Sequence, residues 1–320
     1  MQKIVDINNI KKEKNSVENI FKLLSSSDKS IPTKYLYDQT GSKLFEKICK
    51  TKDYYLTRLE QNILKSNASN IINRTKPMDM FEFGSGSSKK TALLINAHLK
   101  SETNLSYSSL DISSEALNMS FEQISRISNT IDVNLFKGDF LGDLNKIKLE
   151  NKNRLFLFLG STLGNFTNET AISFLKNIRK IMKMSDYLLM GVDMVKDENI
   201  IKSAYDDRDG ITKNFNKNIL KVLNNKFNLN FKQNNYLHQA EFNKKESQIE
   251  MYLVSKNQHT IDFPNNSNIL INAGDKILTE ISRKFSKDII DHLIQKSNME
   301  IEEIYQDDRK FYSLLLIRLV

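Results

Sequence analysis

The chain has 320 residues, 39% of them hydrophobic and 27% charged, which suits a globular protein of one large domain or two modest ones. No apolar run approaches the roughly 18 residues needed to span a membrane, and the opening "MQKIVDINNIKKEKNS" lacks the apolar centre of a secretory signal. The formal charge of +8 admits a polyanion partner, but most lysines sit beside acids, as in "KKEKNSVE" and "IRKIMKMSD". A single cysteine, Cys49, excludes an intrachain disulfide and fits a reducing cytosol.

The first 75 residues read mostly as helix. Val17, Ile20, Phe21 and Leu24 recur at helical spacing, Leu44, Phe45 and Ile48 share one face, and Leu59 and Ile63 are four apart. The texture then changes to short strand candidates: 78–83, 105–113, 133–140, 154–162 and 186–194. "RLFLFLGST" is almost continuously apolar, as a strand buried on both faces requires. Helical stretches alternate with these strands. The clearest carries Ile172, Leu175, Ile178 and Met182 on one face, with Thr167 as its cap. Alternation of this kind predicts a doubly wound parallel α/β sheet. Beyond about residue 196, "SQIEMYLVSK" alternates as a half-buried strand, "DIIDHLIQK" reads as a helix and "KFYSLLLIRLV" as a last strand.

The stretch "MDMFEFGSGSSKKT" (78–91) joins the first strand of the middle section to a helix and poses a ligand question. As a P-loop it places Lys90 and Thr91 well, but Lys89 stands where the second glycine must be. As a dinucleotide turn it has Gly84 and Gly86 but lacks the third glycine, again at Lys89. S-adenosylmethionine asks for less: an acid before the glycines, a close-approach turn, and a second acid one strand later for the ribose hydroxyls. Glu82, the turn from Gly84 to Ser88, and Asp111 supply these. Asp139 and Phe140, ending the next strand, suit the adenine amino group and ring. In a parallel sheet these strand ends open on one crevice.

Several long blocks then resemble one family, the bacterial histidine Nα-methyltransferases of ergothioneine biosynthesis. They are "IPTKYLYDQTGSKLFEKICKTKDYYLTRLEQNIL", "EFGSGSSKKT", "LDIS", "GDF", "FLGSTLGNFT", "GVDMVKD", "AYDDRDGITKNFNKNIL", "IEMYLVS" and "GDKILTEISRKF", in that order along nearly the whole chain. The resemblance implies a Rossmann-like methyltransferase core at 59–195 and a second α/β substrate domain built from 1–58 plus 196–320, which closes over the substrate. It implies S-adenosylmethionine as cofactor, held by Gly84, Lys90, Asp111, Asp139 and Phe140. It implies L-histidine as substrate, held by Tyr54, Asn165, Tyr205, Glu280 and Ser282, with Tyr37 and Asn165 nearest the chemistry. The expected product is trimethylhistidine (hercynine), made by a cytoplasmic monomer with no nucleic-acid or membrane partner.

Residue chemistry agrees. Glu280 and Ser282, two apart on a strand-like segment, face one side and with Tyr54 can bond both imidazole nitrogens. Asn165 and Tyr37 can orient an amine without a strong base, and Tyr205 with Asn165 suits a carboxylate. Without the resemblance, Glu280 reads equally as a solvated residue, Tyr54 as core and Asn165 as a turn residue. "DDRDG" lacks the alternating ligands of a calcium loop, and His98, His238, His259 and His292 have no metal spacing, reading instead as surface or packing residues. Two departures stand out: Leu56 where the family has proline, and Lys217 in a usually apolar run. Other amino acids, tryptophan-like ones among them, and RNA are the alternative methyl acceptors. A cofactor-binding module without turnover is the remaining alternative.

Overall fold

The structure, a computed structural model, describes residues 4–7, 15–102 and 104–320. Residues 1–14, part of the stretch read as lacking a secretory leader, lie outside the described set except for 4–7. Among the described residues no helix is long and apolar enough to cross a membrane.

In chain order the elements are β1 (Ile4–Asp6), α1 (Asn15–Ser25), α2 (Gln39–Ile48), α3 (Tyr55–Thr75), β2 (Asp79–Phe83), α4 (Thr91–His98), β3 (Ser106–Asp111), α5 (Ser114–Ser125), β4 (Asp132–Lys137), β5 (Arg154–Phe158), α6 (Asn168–Ile181) and β6 (Tyr187–Asp193). There follow α7 (Glu198–Tyr205), α8 (Ile211–Phe227), β7 (Tyr236–Asn243), β8 (Gln248–Ser255), β9 (His259–Asp262), β10 (Asn268–Ile271), β11 (Lys276–Arg283), α9 (Lys287–Lys296), β12 (Met299–Gln306) and β13 (Tyr312–Leu319). Local rules account for several boundaries. Thr167 caps α6 by accepting the Thr170 N–H, and Asp38 caps α2 by accepting the Gly41 N–H. Gly41 is obligatory, since a Cβ there would lie 1.7 Å from the Leu36 carbonyl oxygen.

The chain divides into two compact units. The first holds the described part of 1–8, Tyr55–Lys196 and Arg283–Val320. Its eight-stranded sheet has the order β1–β4–β3–β2–β5–β6–β13–β12. From β1 to β6 every pairing is parallel, while β13 runs antiparallel to both β6 and β12. β2 and β5 are buried along their whole length, which is why they read as apolar runs. Sequence order reverses between β2 and β5, the topological switch point where an open α/β sheet binds its ligand.

The second unit holds the described part of 9–54 and Asp197–Ser282. It has a three-stranded sheet in the order β11–β8–β7 and a β9–β10 hairpin. Along β8, Ile249, Met251 and Leu253 are buried and alternate with half-buried residues, as its period predicts.

This division differs from the expected one at both ends. Residues 4–7, 55–58, 196 and 283–320, expected in the second domain, fall in the first unit. The reason is burial. Leu314, Leu315, Leu316 and Ile317 are all fully buried, and a strand apolar on both faces needs the interior of a large sheet.

One ionic cluster of the first unit stands beside three of the chain's passages between units. Asp193, ending β6, is 0% exposed. Its carboxylate takes the Lys284 ammonium at 2.8 Å, the Lys196 ammonium, and the Tyr55 hydroxyl at 2.8 Å. Removing the acid would leave two buried ammonium groups without it. Asp193→Asn should therefore cost about 3–5 kcal/mol in equilibrium urea denaturation. Glu300→Gln, which loosens a surface pair with Arg318, should cost under about 1 kcal/mol.

Candidate active site

At the switch point β2 runs into the glycine turn. Gly84 and Gly86 adopt φ of +69° and +51°, a region L side chains rarely enter. A Cβ added at Gly86 would meet nothing within 4 Å, so this backbone is open to a ligand. Beneath the turn lies Glu82, 2% exposed. Its carboxylate accepts from Thr91 Oγ1 (2.5 Å), Tyr107 Oη (2.6 Å) and Ser88 Oγ (3.0 Å). Glu82, the acid before the glycines, thus faces inward and braces the turn. Burial pushes its carboxyl up to about 7, against the three hydroxyl donors that lower it.

Asp111, ending β3, is tied to the same turn. Oδ2 accepts the Gly86 N–H at 3.3 Å and Oδ1 the Ser113 N–H at 2.8 Å. Burial raises this carboxyl to about 6, with backbone donors opposing. Past β4, Asp139 Oδ1 accepts the Leu141 N–H at 2.9 Å, which fixes a tight turn. Phe140 packs on Phe158, Phe166 and Phe174, and its ring lies 3.8 Å from where a Gly84 Cβ would stand. The structure therefore brings Gly84, Asp111 and Phe140 together along one sheet edge.

Lys90 belongs to this edge through a partner that sequence reasoning missed. Its ammonium pairs with Glu60 at 2.6 Å, and the Glu60 carboxylate also accepts the Gly160 N–H at 2.9 and 3.0 Å. Glu60 therefore joins the turns after β2 and β5. A signal was present: Glu60 falls on the same helical face as Leu56, Ile63 and Leu64, an acid on an otherwise buried stripe. Asn165 ends the short 3-10 turn Thr162–Asn165 that follows β5.

The remaining candidates lie in the second unit. Tyr205, ending α7, donates its hydroxyl to Ser282 Oγ at 2.8 Å. Its ring meets that of Tyr54 edge-on at 6.1 Å. Tyr37 packs edge-on against Phe45 and Phe215, and Phe45 in turn against Tyr54. Glu280 is 8% exposed on β11, two residues before Ser282. Burial, then the charges of Tyr205, Cys49, Tyr37 and Glu280, raise the Tyr54 phenol well above its ordinary value, so it stays a hydrogen-bond donor. Asp207 of "DDRDG" caps α8, accepting the N–H groups of Ile211 and Thr212. His238, read as a surface or packing residue, is bonded to the Tyr205 carbonyl.

A parallel sheet with an antiparallel C-terminal pair, an open two-glycine turn at its switch point and a buried acid ending the next strand define the class of S-adenosylmethionine-dependent methyltransferases. Within that class the chain belongs to the family of histidine-specific, S-adenosylmethionine-dependent methyltransferases, matched over residues 16–319. It is 34% identical to the histidine N-alpha-methyltransferase of Mycobacterium tuberculosis, over 83% of each chain. It is 35% identical to the Mycolicibacterium smegmatis enzyme of the same name, over 82% of each. Ergothioneine biosynthesis protein 1 of Schizosaccharomyces pombe is 29% identical over 90% of this chain and 38% of the relative.

Glu82 and Asp111 both hold a proton more tightly folded than unfolded. Their contribution to stability is greatest below about pH 4 and is lost as pH rises through about 6 for Asp111 and about 7 for Glu82. Glu82→Gln removes one of these titrations. Wild type should lose stability relative to this variant by up to roughly 1.4 kcal/mol per pH unit on going from about pH 5 to 7. Urea denaturation across that range checks both sign and slope.

Proposed function

We propose that this protein transfers methyl groups from S-adenosylmethionine to the α-amino group of L-histidine. Up to three are added, giving trimethylhistidine (hercynine) for ergothioneine-type biosynthesis. The observation that carries the substrate reading is Glu280, a carboxylate buried beside Ser282 on β11, with Tyr205 bonded to Ser282 and Tyr54 against Tyr205. The relatives' names support it.

Gly84, Asp111, Asp139, Phe140 and Lys90 fit the cofactor. Asp111 suits the ribose hydroxyls and is already held in place by two backbone N–H groups. Phe140 suits the adenine ring, Asp139 its amino group, and Lys90 the cofactor's carboxylate. When bound, the cofactor supplies a methyl group on a cationic sulfur. The protein's task is to present a neutral amine in line with that carbon and to exclude water. Asn165 and Tyr37 are assigned to orienting the amine, and Tyr205 with Asn165 to the substrate carboxylate. Asn165 carries no titratable group, so it orients the amine without taking its proton, and the amine must lose a proton before each further methyl transfer. The aromatic rings around Tyr37 and Tyr54 suit a trimethylammonium product, which ring faces attract.

Glu280, Ser282 and Tyr54 are assigned to the imidazole. A ligand without a ring N–H forgoes the bond to the Glu280 carboxylate, which is the basis for preferring histidine over other amino acids. A cytoplasmic, monomeric enzyme belongs to the same reading, in keeping with the lone Cys49 and a small-molecule substrate.

Mass spectrometry of a reaction containing the cofactor and all twenty amino acids should show about +14, +28 and +42 mass units on histidine alone. Glu280→Ala should raise KM for histidine at least about tenfold, roughly 1.4 kcal/mol. Methylation of a different amino acid, indifferent to Glu280→Ala, would overturn the assignment.

A further inference from the structure

In the second unit the His238 side chain on β7 is only 1% exposed and makes two hydrogen bonds. Nε2 lies 2.9 Å from the Tyr205 carbonyl oxygen, and Nδ1 lies 2.9 Å from Asn216 Nδ2. The Asn216 amide has its orientation fixed by its other partners. Nδ2 also donates to the Tyr252 carbonyl at 3.0 Å, and Oδ1 accepts from Thr279 Oγ1 at 2.6 Å. An amide nitrogen only donates, so Nδ1 of His238 must accept. Nε2 then carries the hydrogen and donates it to Tyr205. The ring is the neutral Nε2–H tautomer, chosen by its neighbours.

These bonds form a circuit. It runs from the Tyr205 carbonyl through His238 and Asn216 to Thr279, along β11 to Ser282, and back through the 2.8 Å bond from the Tyr205 hydroxyl. Glu280 stands on the strand segment the circuit encloses. We propose that His238 is a positioning residue for the substrate: it fixes the end of α7 relative to β11, and so holds Tyr205 against the Glu280–Ser282 strand. The proposal rests on the reading of Tyr205, Glu280 and Ser282 as histidine-binding residues.

A second proton on the ring would set N–H against N–H at Asn216 and break the circuit. Burial lowers the pKa of His238; the Tyr205 carbonyl, Asp206 and Asp207 oppose that shift, and Lys213 adds to it. The circuit is therefore intact at neutral pH. It opens as pH falls through a value below the ordinary one for histidine, and affinity for the substrate should fall with it.

Steady-state kinetics with the full chain test this. His238→Leu should raise KM for histidine about tenfold or more, while the Kd of S-adenosylhomocysteine, measured by calorimetry, stays within about twofold. His238→Gln, whose amide can still donate to Tyr205, should recover most of the loss. Towards acid pH the wild-type KM should rise relative to that of His238→Gln, because the substrate's own ionisations are common to both and cancel in the ratio. An unchanged KM in His238→Leu, equal losses for substrate and cofactor, or a flat ratio would each overturn the proposal. Should His238→Leu fail to fold, ¹⁵N shifts of the wild-type ring decide. An Nε2–H ring at neutral pH supports the circuit, whereas an Nδ1–H or doubly protonated ring overturns it. Wild type inactive on histidine would sink the functional reading beneath the proposal; an active wild type with an indifferent His238→Leu would sink the proposal alone.

Discussion

The Asp193 carboxylate organises the edge of the first unit on which the candidate cofactor residues stand. It gathers Tyr55, Lys196 and Lys284, and its backbone N–H donates to Ser161 Oγ at 2.9 Å. Two of these contacts lead to a site residue a few positions on. Tyr55 opens α3, whose next turn carries Glu60 and through it Lys90 and Gly160. Ser161, held in a left-handed conformation at φ +59°, opens the turn that ends in Asn165. Two ammonium groups on one carboxylate are an expensive core, and apolar residues of similar volume could stabilise the fold better. What apolar packing cannot supply is direction: hydrogen bonds fix where α3 and the Ser161 turn meet the sheet edge, to within the tolerance a methyl transfer needs.

Much of the first unit was legible in the sequence. Strands buried on both faces announce themselves as short apolar runs, and the helices between them carry apolar stripes and caps such as Thr167. The place of the last strand was not legible. "KFYSLLLIRLV" is visibly buried, but nothing local says that it enters the sheet beside β6 and antiparallel to it. Pairing over such a sequence distance is a property of the whole sheet. The two compact units divide the chain differently from the expected domains for the same reason.

The candidate site divides in a similar way. Gly84, Asp111 and Phe140 were legible because a turn, a strand end and a spacing define them. Glu60 and His238 were not, because each acts on another residue rather than on a ligand. Glu82 shows the converse: an acid in the right place whose oxygens are already occupied by Thr91, Tyr107 and Ser88. Its raised pKa marks a buried brace. A perturbed carboxyl at a binding edge is thus a sign of confinement before it is a sign of chemistry.

On the proposed reading the two units also divide the electrostatic work. The first keeps two carboxylates, Glu82 and Asp111, in surroundings that make ionisation costly at neutral pH. Hydroxyl donors from a ribose would stabilise the ionised form of Asp111, so part of the strain of burial is relieved when the cofactor binds. In the second unit the Tyr54 phenol feels the charge of Glu280 and is held protonated. On that reading a bond from an imidazole N–H to the buried acid is what favours histidine over other amino acids.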